Sequence, residues 1–342
     1  MQYKRLSNKK FTKQRHQKEI QLEKLPNLKG FFLGKNTFRW PLLDTLFIND
    51  CPQLMTFTSG ESKTPKLNYI TTWFGKYGLD DFHGKINEYT QTTFPASSSY
   101  VTDSMTFSFH NLIEIDTQTA YAVETLIPSN MLLQLQKLEK ICLSSCSKLK
   151  EVFEVVSLDE SGFNESQTTV VKIPNLKQVK LNRVDDLKYL WKSNRSMVLL
   201  EFPNLTTVSI EHCASLEYVF TCSMVGRLVQ LQDLHIRGCG KIEVIVKEQE
   251  ESEAKMTMLS RLKSLKLINL ESFKGFCLGK ENFSLPLLDS LQIQECPAIT
   301  VFTNGYLSTP ELKVIDTSFG LYYVKPHLNS FIKTKQVEGY EF

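Results

Sequence analysis

The sequence predicts an α/β-type solenoid, in which short repeats stack around a parallel β-sheet, and three observations support this prediction. The first is a duplication: residues 22–75 align with residues 267–320 without a gap, and about half of the positions are identical. The second is a shorter frame, L-x-x-Φ-x-Φ-x-x-C-x-x-Φ with Φ aliphatic, which recurs along the chain. The third is the period, because successive frames from Leu176 onward start 29, 26, 31, 26 and 24 residues apart.

The frame and the period together are those of leucine-rich repeats. Copies with cysteine start at Leu43, Leu138, Leu205, Leu231 and Leu288; copies with Val or Leu in its place start at Leu176 and Leu262; weaker copies start at Leu67, Leu112 and Leu312. We therefore expect a leucine-rich-repeat solenoid with a curved parallel β-sheet on its concave face. The convex side should be mostly irregular or short-helical.

Each x-Φ-x-Φ-x segment reads as a strand, since alternate side chains of a strand point to opposite faces. In the copy at Leu205, Val208 and Ile210 should point into the core. One such strand cannot bury its own apolar face, but stacked repeats build one continuous core. The apolar pairs that trail the strands should fill the space behind the sheet; they are Val152-Phe153, Leu190-Trp191 and Val219-Phe220.

The cysteines of the frame share one position, three residues past the second Φ: Cys51, Cys146, Cys213, Cys239 and Cys296. There the chain should turn inward, and a small buried apolar group fits. The alternative is a metal site or disulfides. No C-x-x-C pair exists, and Cys142 should point to the opposite face from Cys146. The pattern favours structural thiols.

The chain organisation follows from composition. Residues 1–19 form a basic leader, expected to be disordered; residues 1–18 hold seven Lys or Arg and no acidic residue. A nucleic-acid-binding or nuclear-targeting arm is the alternative. Residues 20–86 read as a truncated first repeat block, 87–107 as a Ser/Thr-rich connector, 108–325 as a second block, and 326–342 as a C-terminal tail or cap. The polar stretches 159–170 and 247–256 read as loops.

The sequence lacks the motifs that are typical of several functional classes of protein. No run of about 18 apolar residues predicts a membrane span, and the N-terminus has no apolar core typical of a secretory signal. "GFFLGK" at residues 30–35 has three residues between its glycines, whereas a phosphate-binding loop needs four. No catalytic motif occurs. We expect a cytoplasmic protein that is not an enzyme, with no cofactor, no metal, and neither nucleic acid nor membrane as a partner.

The outward strand positions of the second block are the candidate surface for a protein partner. A standard interface takes about 20–30 residues per side, which nine strands with three outward positions can supply. Each position could equally be a merely solvated strand residue; His235 could also be pH-sensitive. The predicted residues are Lys140, Cys142, Ser144, Gln178, Lys180, Asn182, Thr207, Ser209, Glu211, Asp233, His235, Arg237, Ser264, Lys266, Gln292 and Gln294.

A family resemblance covers roughly residues 20–342. "FPNLTTVSIEHCASLEYVFTCSMVGRLVQLQDLHIRGCGKIEVIV" (202–246), "SFHNLIEID" (108–116), "LLQLQKLEKICLSSC" (132–146) and "LPLLDSLQIQECPAITVFT" (285–303) resemble the C-terminal repeats of plant intracellular disease-resistance receptors. These are the coiled-coil, nucleotide-binding, leucine-rich-repeat receptors, here of the lettuce-type clade. The resemblance implies sensing of a pathogen effector or of a guarded host protein. It also implies a receptor's own nucleotide-binding domain as a further partner.

The sequence departs from that family because the nucleotide-binding domain and the coiled coil are not in these 342 residues. The nucleotide-dependent switch therefore does not carry over, and we interpret the chain as a truncated relative or a fragment of a receptor. Two alternatives remain. One is a substrate-recognition adaptor of a ubiquitin ligase, for which residues 1–20 are too short and too charged to supply an F-box-like segment. The other is a non-functional truncated receptor copy.

Overall fold

A computed structural model describes residues 18–34, 37–49, 51, 53–54, 56–58, 62–79, 109–118, 124–155, 169–191, 198–248, 256–324, 327–339 and 342. The chain divides into two compact units, residues 1–116 and residues 117–342. Most of the predicted leader, the connector 87–107, and most of the predicted loops 159–170 and 247–256 lie outside the described residues.

The first unit is built from short strands. They are β1 (Glu19–Glu23), β2 (Gly30–Phe32), β3 (Phe38–Arg39), β4 (Thr45–Asn49), β5 (Thr56–Thr58), β6 (Ser62–Lys63), β7 (Tyr69–Thr71), β8 (Gly75–Gly78) and β9 (Leu112–Gln118), which runs past its end. Strands β1, β4 and β7 pair in parallel, and β8 then pairs antiparallel with both β7 and β9. Strand β1 begins at Glu19, one residue before the predicted start of the first block.

The second unit has more strands and little helix. Its strands are β10 (Thr125–Ile127), β11 (Lys140–Ser144), β12 (Glu151–Phe153), β13 (Thr169–Lys172), β14 (Gln178–Asn182), β15 (Val198–Glu201), β16 (Thr207–Glu211), β17 (Phe220–Thr221), β18 (Asp233–Arg237), β19 (Val246–Lys247), β20 (Met256–Met258), β21 (Ser264–Ile268), β22 (Asn282–Ser284), β23 (Ser290–Gln294), β24 (Leu307–Ser308), β25 (Val314–Thr317) and β26 (Gly320–Tyr323). Its helices are a 3₁₀ helix (Ser129–Lys137), α1 (Cys222–Val225) and α2 (Leu328–Val337).

The main sheet of the second unit has the order β11-β14-β16-β18-β21-β23-β25-β26, and all neighbours are parallel except the final hairpin. Shorter parallel ladders run between the same repeats: β10-β12, β13-β15, β17-β19 and β20-β22-β24. The predicted solenoid built on a parallel sheet is confirmed. Each repeat adds one strand because the frame supplies one x-Φ-x-Φ-x segment per period.

The core lies behind the main sheet. Val208 and Ile210 of β16 are fully buried, as the alternation predicts. The trailing apolar pairs are buried too, and their aromatic members stack between repeats. The Trp191 ring centroid lies 4.7 Å from that of Phe202 and 5.9 Å from that of Phe220, while its indole N–H donates to the Val219 carbonyl at 2.8 Å. The repeats are therefore joined by aromatic contacts as well as by aliphatic burial.

A turn of constant geometry follows each regular strand. The first residue after the strand takes a positive φ: Lys24, Ser145, Arg183, His212, Gly238, Asn269 and Glu295, with φ between 51° and 64°. For all of them but Glu295, the N–H donates to the last carbonyl of the next repeat's strand, for example from Arg183 to Glu211 and from His212 to Arg237, at 2.9 and 2.8 Å. The N–H of Glu295 donates instead to the Ser318 hydroxyl at 2.8 Å. We call this series of bonds the turn ladder.

Cys146, Cys213, Cys239 and Cys296 lie immediately after these turn residues, and Cys51 lies two residues past the end of β4. The thiols of the five frame cysteines donate to the carbonyl two residues earlier, at 3.3–3.6 Å; all five are buried and none forms a disulfide. Cysteine suits this position because its small side chain fits the inward turn and its thiol, a weak donor, forms a hydrogen bond with a carbonyl there. The predicted structural role of Cys51, Cys146, Cys213, Cys239 and Cys296 agrees with this geometry.

The two duplicated stretches end in the same hairpin. The Thr72 hydroxyl bonds the Gly75 carbonyl at 3.1 Å, and the Thr317 hydroxyl bonds the Gly320 carbonyl at 3.0 Å. Helix α2 then follows within the predicted tail or cap and buries Leu328, Phe331 and Ile332. The sequence similarity of the two copies thus extends to local structure.

Candidate functional site

The candidate site is the side of the second unit's main sheet opposite the core, here called the outer face. Every residue predicted for partner binding lies on it, because each alternates with a buried neighbour along its strand. None of these side chains belongs to the core. The alternation along β16 is representative: Thr207, Ser209 and Glu211 are half-buried, whereas the residues between them are fully buried.

Strand register places the predicted residues in three columns that cross the sheet. The first column contains Lys140, Gln178, Thr207, Asp233 and Ser264; the second contains Cys142, Lys180, Ser209, His235, Lys266 and Gln292; the third contains Ser144, Asn182, Glu211, Arg237 and Gln294. Neighbours in a column are about 4.8 Å apart, the spacing of paired strands. The structure therefore brings the predicted residues together on one continuous surface.

Three further residues belong to these columns. Ser290 continues the first column and Asp316 the second, while Ile268 fills the third between Arg237 and Gln294. The repeat frame contains the signal for two of them. Ser290 precedes the first Φ of its copy, and Ile268 is an apolar residue at an outward position. Asp316 belongs to the weaker copy at Leu312, where Thr317 replaces an aliphatic residue; its carboxylate accepts a bond from Gln294 at 3.1 Å.

His235 lies at the centre of the outer face. Its Nδ1 is 3.9 Å from Glu211 Oε1, and that carboxylate also accepts a 3.5 Å bond from the Ser209 hydroxyl. Partial burial lowers the pKa of His235, and the positive charges of Lys266 and Arg237 lower it further, while Glu211 opposes them. The ring is therefore mostly neutral near pH 7. Its Nε2 is buried and has no hydrogen-bond partner among the described residues.

The outer face carries charges of both signs. Lys180, Arg237 and Lys266 contribute positive charge, and Glu211 and Asp233 contribute negative charge, on adjacent strands. Such mixed charge spread over several strands suits a protein partner better than a small cofactor, which needs a mostly apolar pocket.

A second group of side chains lies away from the outer face. Cys222, Cys277 and Glu281 each offer one ligand atom, and these atoms lie within 4.8 Å of one another. A hydrogen bond with Cys277, burial and the nearby Glu281 raise the pKa of the Cys222 thiol. Sequence reasoning missed this group because Cys222 is 55 residues from Cys277 and the three residues form no recognised motif.

Comparison with known proteins gives one match. Residues 96–240 match the family model described as plant disease resistance protein RPS2-like, leucine-rich repeats. The match covers less than half of the 342 residues and supports a leucine-rich-repeat region of plant disease resistance proteins. Neither the curated proteins nor the solved structures contain a match. Within the described residues, no helix is long and apolar enough to span a membrane.

Proposed function

We propose that this chain is the protein-recognition module of a plant disease-resistance protein and acts in the cytoplasm. On this proposal, it senses a pathogen effector or a guarded host protein through the outer face. The observation that supports the proposal most directly is the set of three registered columns, which offers a broad surface of mixed charge. The family match over residues 96–240 supports the link to plant defence.

The charge pattern gives this surface its expected specificity. Lys180, His235 and Lys266 lie in one column, and Glu211 and Arg237 lie beside them in the next. A complementary partner would place acidic groups opposite Lys180 and Lys266. Charged contacts of this kind set partner choice and association rate more than they set raw affinity.

The test is a pairwise binding screen of the purified chain against individual effectors and their known host targets, followed by surface substitution. A Lys180→Glu/Lys266→Glu variant should weaken binding of any partner found by more than about tenfold, since like charges would then face one another. The matched control is Lys274→Glu/Lys188→Glu, which reverses two exposed charges outside the columns.

Two outcomes would contradict the proposal. Binding that survives Lys180→Glu/Lys266→Glu but not the control pair would move recognition away from the outer face. Failure of every effector and host target to bind, with the chain shown to be folded by circular dichroism, would overturn the sensing role itself.

A further inference from the structure

We propose that Cys222, Cys277 and Glu281 form a zinc-binding site that is separate from the outer face. Cys222 is the first residue of α1, and Cys277 forms an isolated bridge with Thr303. Glu281 directly precedes β22. The fold thus brings the thiol of Cys222 to a thiol and a carboxylate, Cys277 and Glu281, that lie four residues apart in a later segment. Among the described residues, they are the one group of three such ligand atoms within 4.8 Å of one another.

The distances fit tetrahedral zinc. Cys277 Sγ lies 3.5 Å from Glu281 Oε2. On a zinc ion with Zn–S of about 2.3 Å and Zn–O of about 2.1 Å, a sulfur and an oxygen ligand lie about 3.6 Å apart. This pair therefore needs no rearrangement. Two sulfur ligands on the same ion lie about 3.8 Å apart, so Cys222 would have to move by about 1 Å at most.

Burial explains why a cation would be favoured here. Glu281 is only 4% exposed and Cys277 is fully buried. Each of the three groups is negative when ionised, and a buried negative charge is costly unless a cation compensates it. Thiolates together with a carboxylate match the borderline-soft character of zinc, whereas calcium and magnesium prefer oxygen ligands alone. Cys222 is half-buried, which leaves a route of access from solvent.

Gly279 provides room for this arrangement. A Cβ at that position would lie 2.1 Å from Glu281 Oε2 and 2.9 Å from Glu248 Oε2. A side chain there would occupy the space that the carboxylates use. The Glu248 carboxylate does not belong to the group of three ligand atoms, so a water molecule would supply the fourth ligand that tetrahedral zinc requires.

The frame cysteines provide a contrast within the same chain. Each of them donates its thiol hydrogen to a backbone carbonyl of its own turn, as Cys296 does to the Gln294 carbonyl at 3.3 Å. Cys277 instead directs its thiol at the side chain of Glu281. Cys222 also donates to a backbone carbonyl, that of Lys247 at 3.4 Å, so the contrast with the frame cysteines holds for Cys277 alone.

The experiment uses the full chain, purified under reducing conditions and stripped with a chelator. Zinc is titrated in competition with a chromophoric chelator, and Co²⁺ is added separately as a spectroscopic probe. We expect one zinc per chain, a rise in Tm with zinc, and thiolate-to-cobalt charge-transfer absorption. Cys222→Ser and Glu281→Gln should each weaken zinc binding more than about tenfold, because each removes a direct ligand.

The matched control is Cys142→Ser, which removes a half-buried thiol on the outer face and should leave zinc affinity unchanged. Cys222→Ser is the primary variant because its half-buried position makes misfolding least probable among the three. Absence of charge-transfer absorption in the folded wild-type chain would overturn the proposal. Zinc affinity in Cys222→Ser equal to that of Cys142→Ser would overturn it as well.

Discussion

Gly238 lies directly against the imidazole of His212, so that a Cβ at position 238 would be 2.5 Å from His212 Nδ1. Both residues occupy the turn ladder, on adjacent repeats, and both have positive φ. Elsewhere the ladder accepts side-chain-bearing residues such as Arg183 and Asn269. The close approach of His212, rather than the positive φ alone, is therefore the reason for glycine at position 238.

Gly238→Ala should therefore lower the free energy of unfolding by about 2–4 kcal/mol, combining the left-handed backbone cost with overpacking against His212. Urea denaturation followed by circular dichroism measures this change. Gly240→Ala is the control, since a Cβ there would meet nothing closer than 3.8 Å. His212→Ala should rescue part of the loss in the double variant. Equal stability of the two Ala variants would refute this account.

Asn329 of α2 should anchor the C-terminal helix to the repeats. Its Oδ1 accepts from the N–H groups of Phe302 and Thr303 at 2.9 and 3.1 Å, and its Nδ2 donates to the Thr303 carbonyl at 2.8 Å. Asn329→Leu should lower the free energy of unfolding by about 2–3 kcal/mol, because three backbone groups lose their partner.

The comparison variant for this anchor is Asn329→Asp, which keeps the acceptor and loses only the donor. This variant should lower the free energy of unfolding by less than Asn329→Leu does in the same urea denaturation experiment. If Asn329→Leu leaves the unfolding midpoint unchanged, then α2 is not held by these bonds.

The stability of the chain should depend on His235 below neutral pH. Its folded pKa lies below the unfolded value of 6.5, chiefly because of burial. Above pH 6.5 the ring is neutral in both states, so its contribution to stability is fully retained. As pH falls below 6.5, the unfolded state takes up the proton first, and stability declines until the folded pKa is passed.

His235→Gln should remove this component and flatten the dependence of unfolding free energy on pH below 6.5, compared with the wild type. A titration of the His235 ring by NMR gives the folded pKa directly. A folded pKa above 6.5 would show that Glu211, at 3.9 Å, outweighs burial and the positive charges of Lys266 and Arg237.

Thiol reactivity should separate the cysteines into two classes. Cys142 and Cys222 are half-buried and should react with a chromogenic disulfide reagent in the native state, Cys222 the more slowly because its raised pKa leaves less thiolate. The six buried cysteines should react only after unfolding. Burial raises the pKa of Cys296 to about 12, so its reactive thiolate is scarce at neutral pH. Rapid reaction of more than two thiols, with the circular dichroism spectrum intact, would contradict this assignment.

The regular part of the fold could be predicted from the sequence because its signal is periodic. The frame at Leu205 gives both the extent of β16 and the burial of Val208 and Ile210. The outer-face columns follow from the same alternation, since register between parallel strands is set by the buried residues. The turn position of Cys213 follows from its constant distance to the strand.

Other features depend on contacts between distant segments and left no periodic signal. The helix Leu328–Val337 lies in what the sequence indicated only as a tail or cap, because one short helix has no repeat to identify it. The short ladders such as β17-β19 are two residues wide, too brief for alternation to show. The cluster of Cys222, Cys277 and Glu281 combines residues that share no motif, so only the folded chain brings them together.

The turn ladder also bears on how this array can change over evolution. Apart from Glu295, each turn residue donates its N–H to the strand end of the next repeat, as Arg183 does to Glu211 and His212 to Arg237. If one whole repeat is removed, the two repeats that become neighbours still present a turn N–H donor and a strand-end carbonyl acceptor in the same geometry. In-frame recombination between repeats can therefore lengthen or shorten the array without the need for new contacts at the junction. The duplication of residues 22–75 as residues 267–320 agrees with such a history.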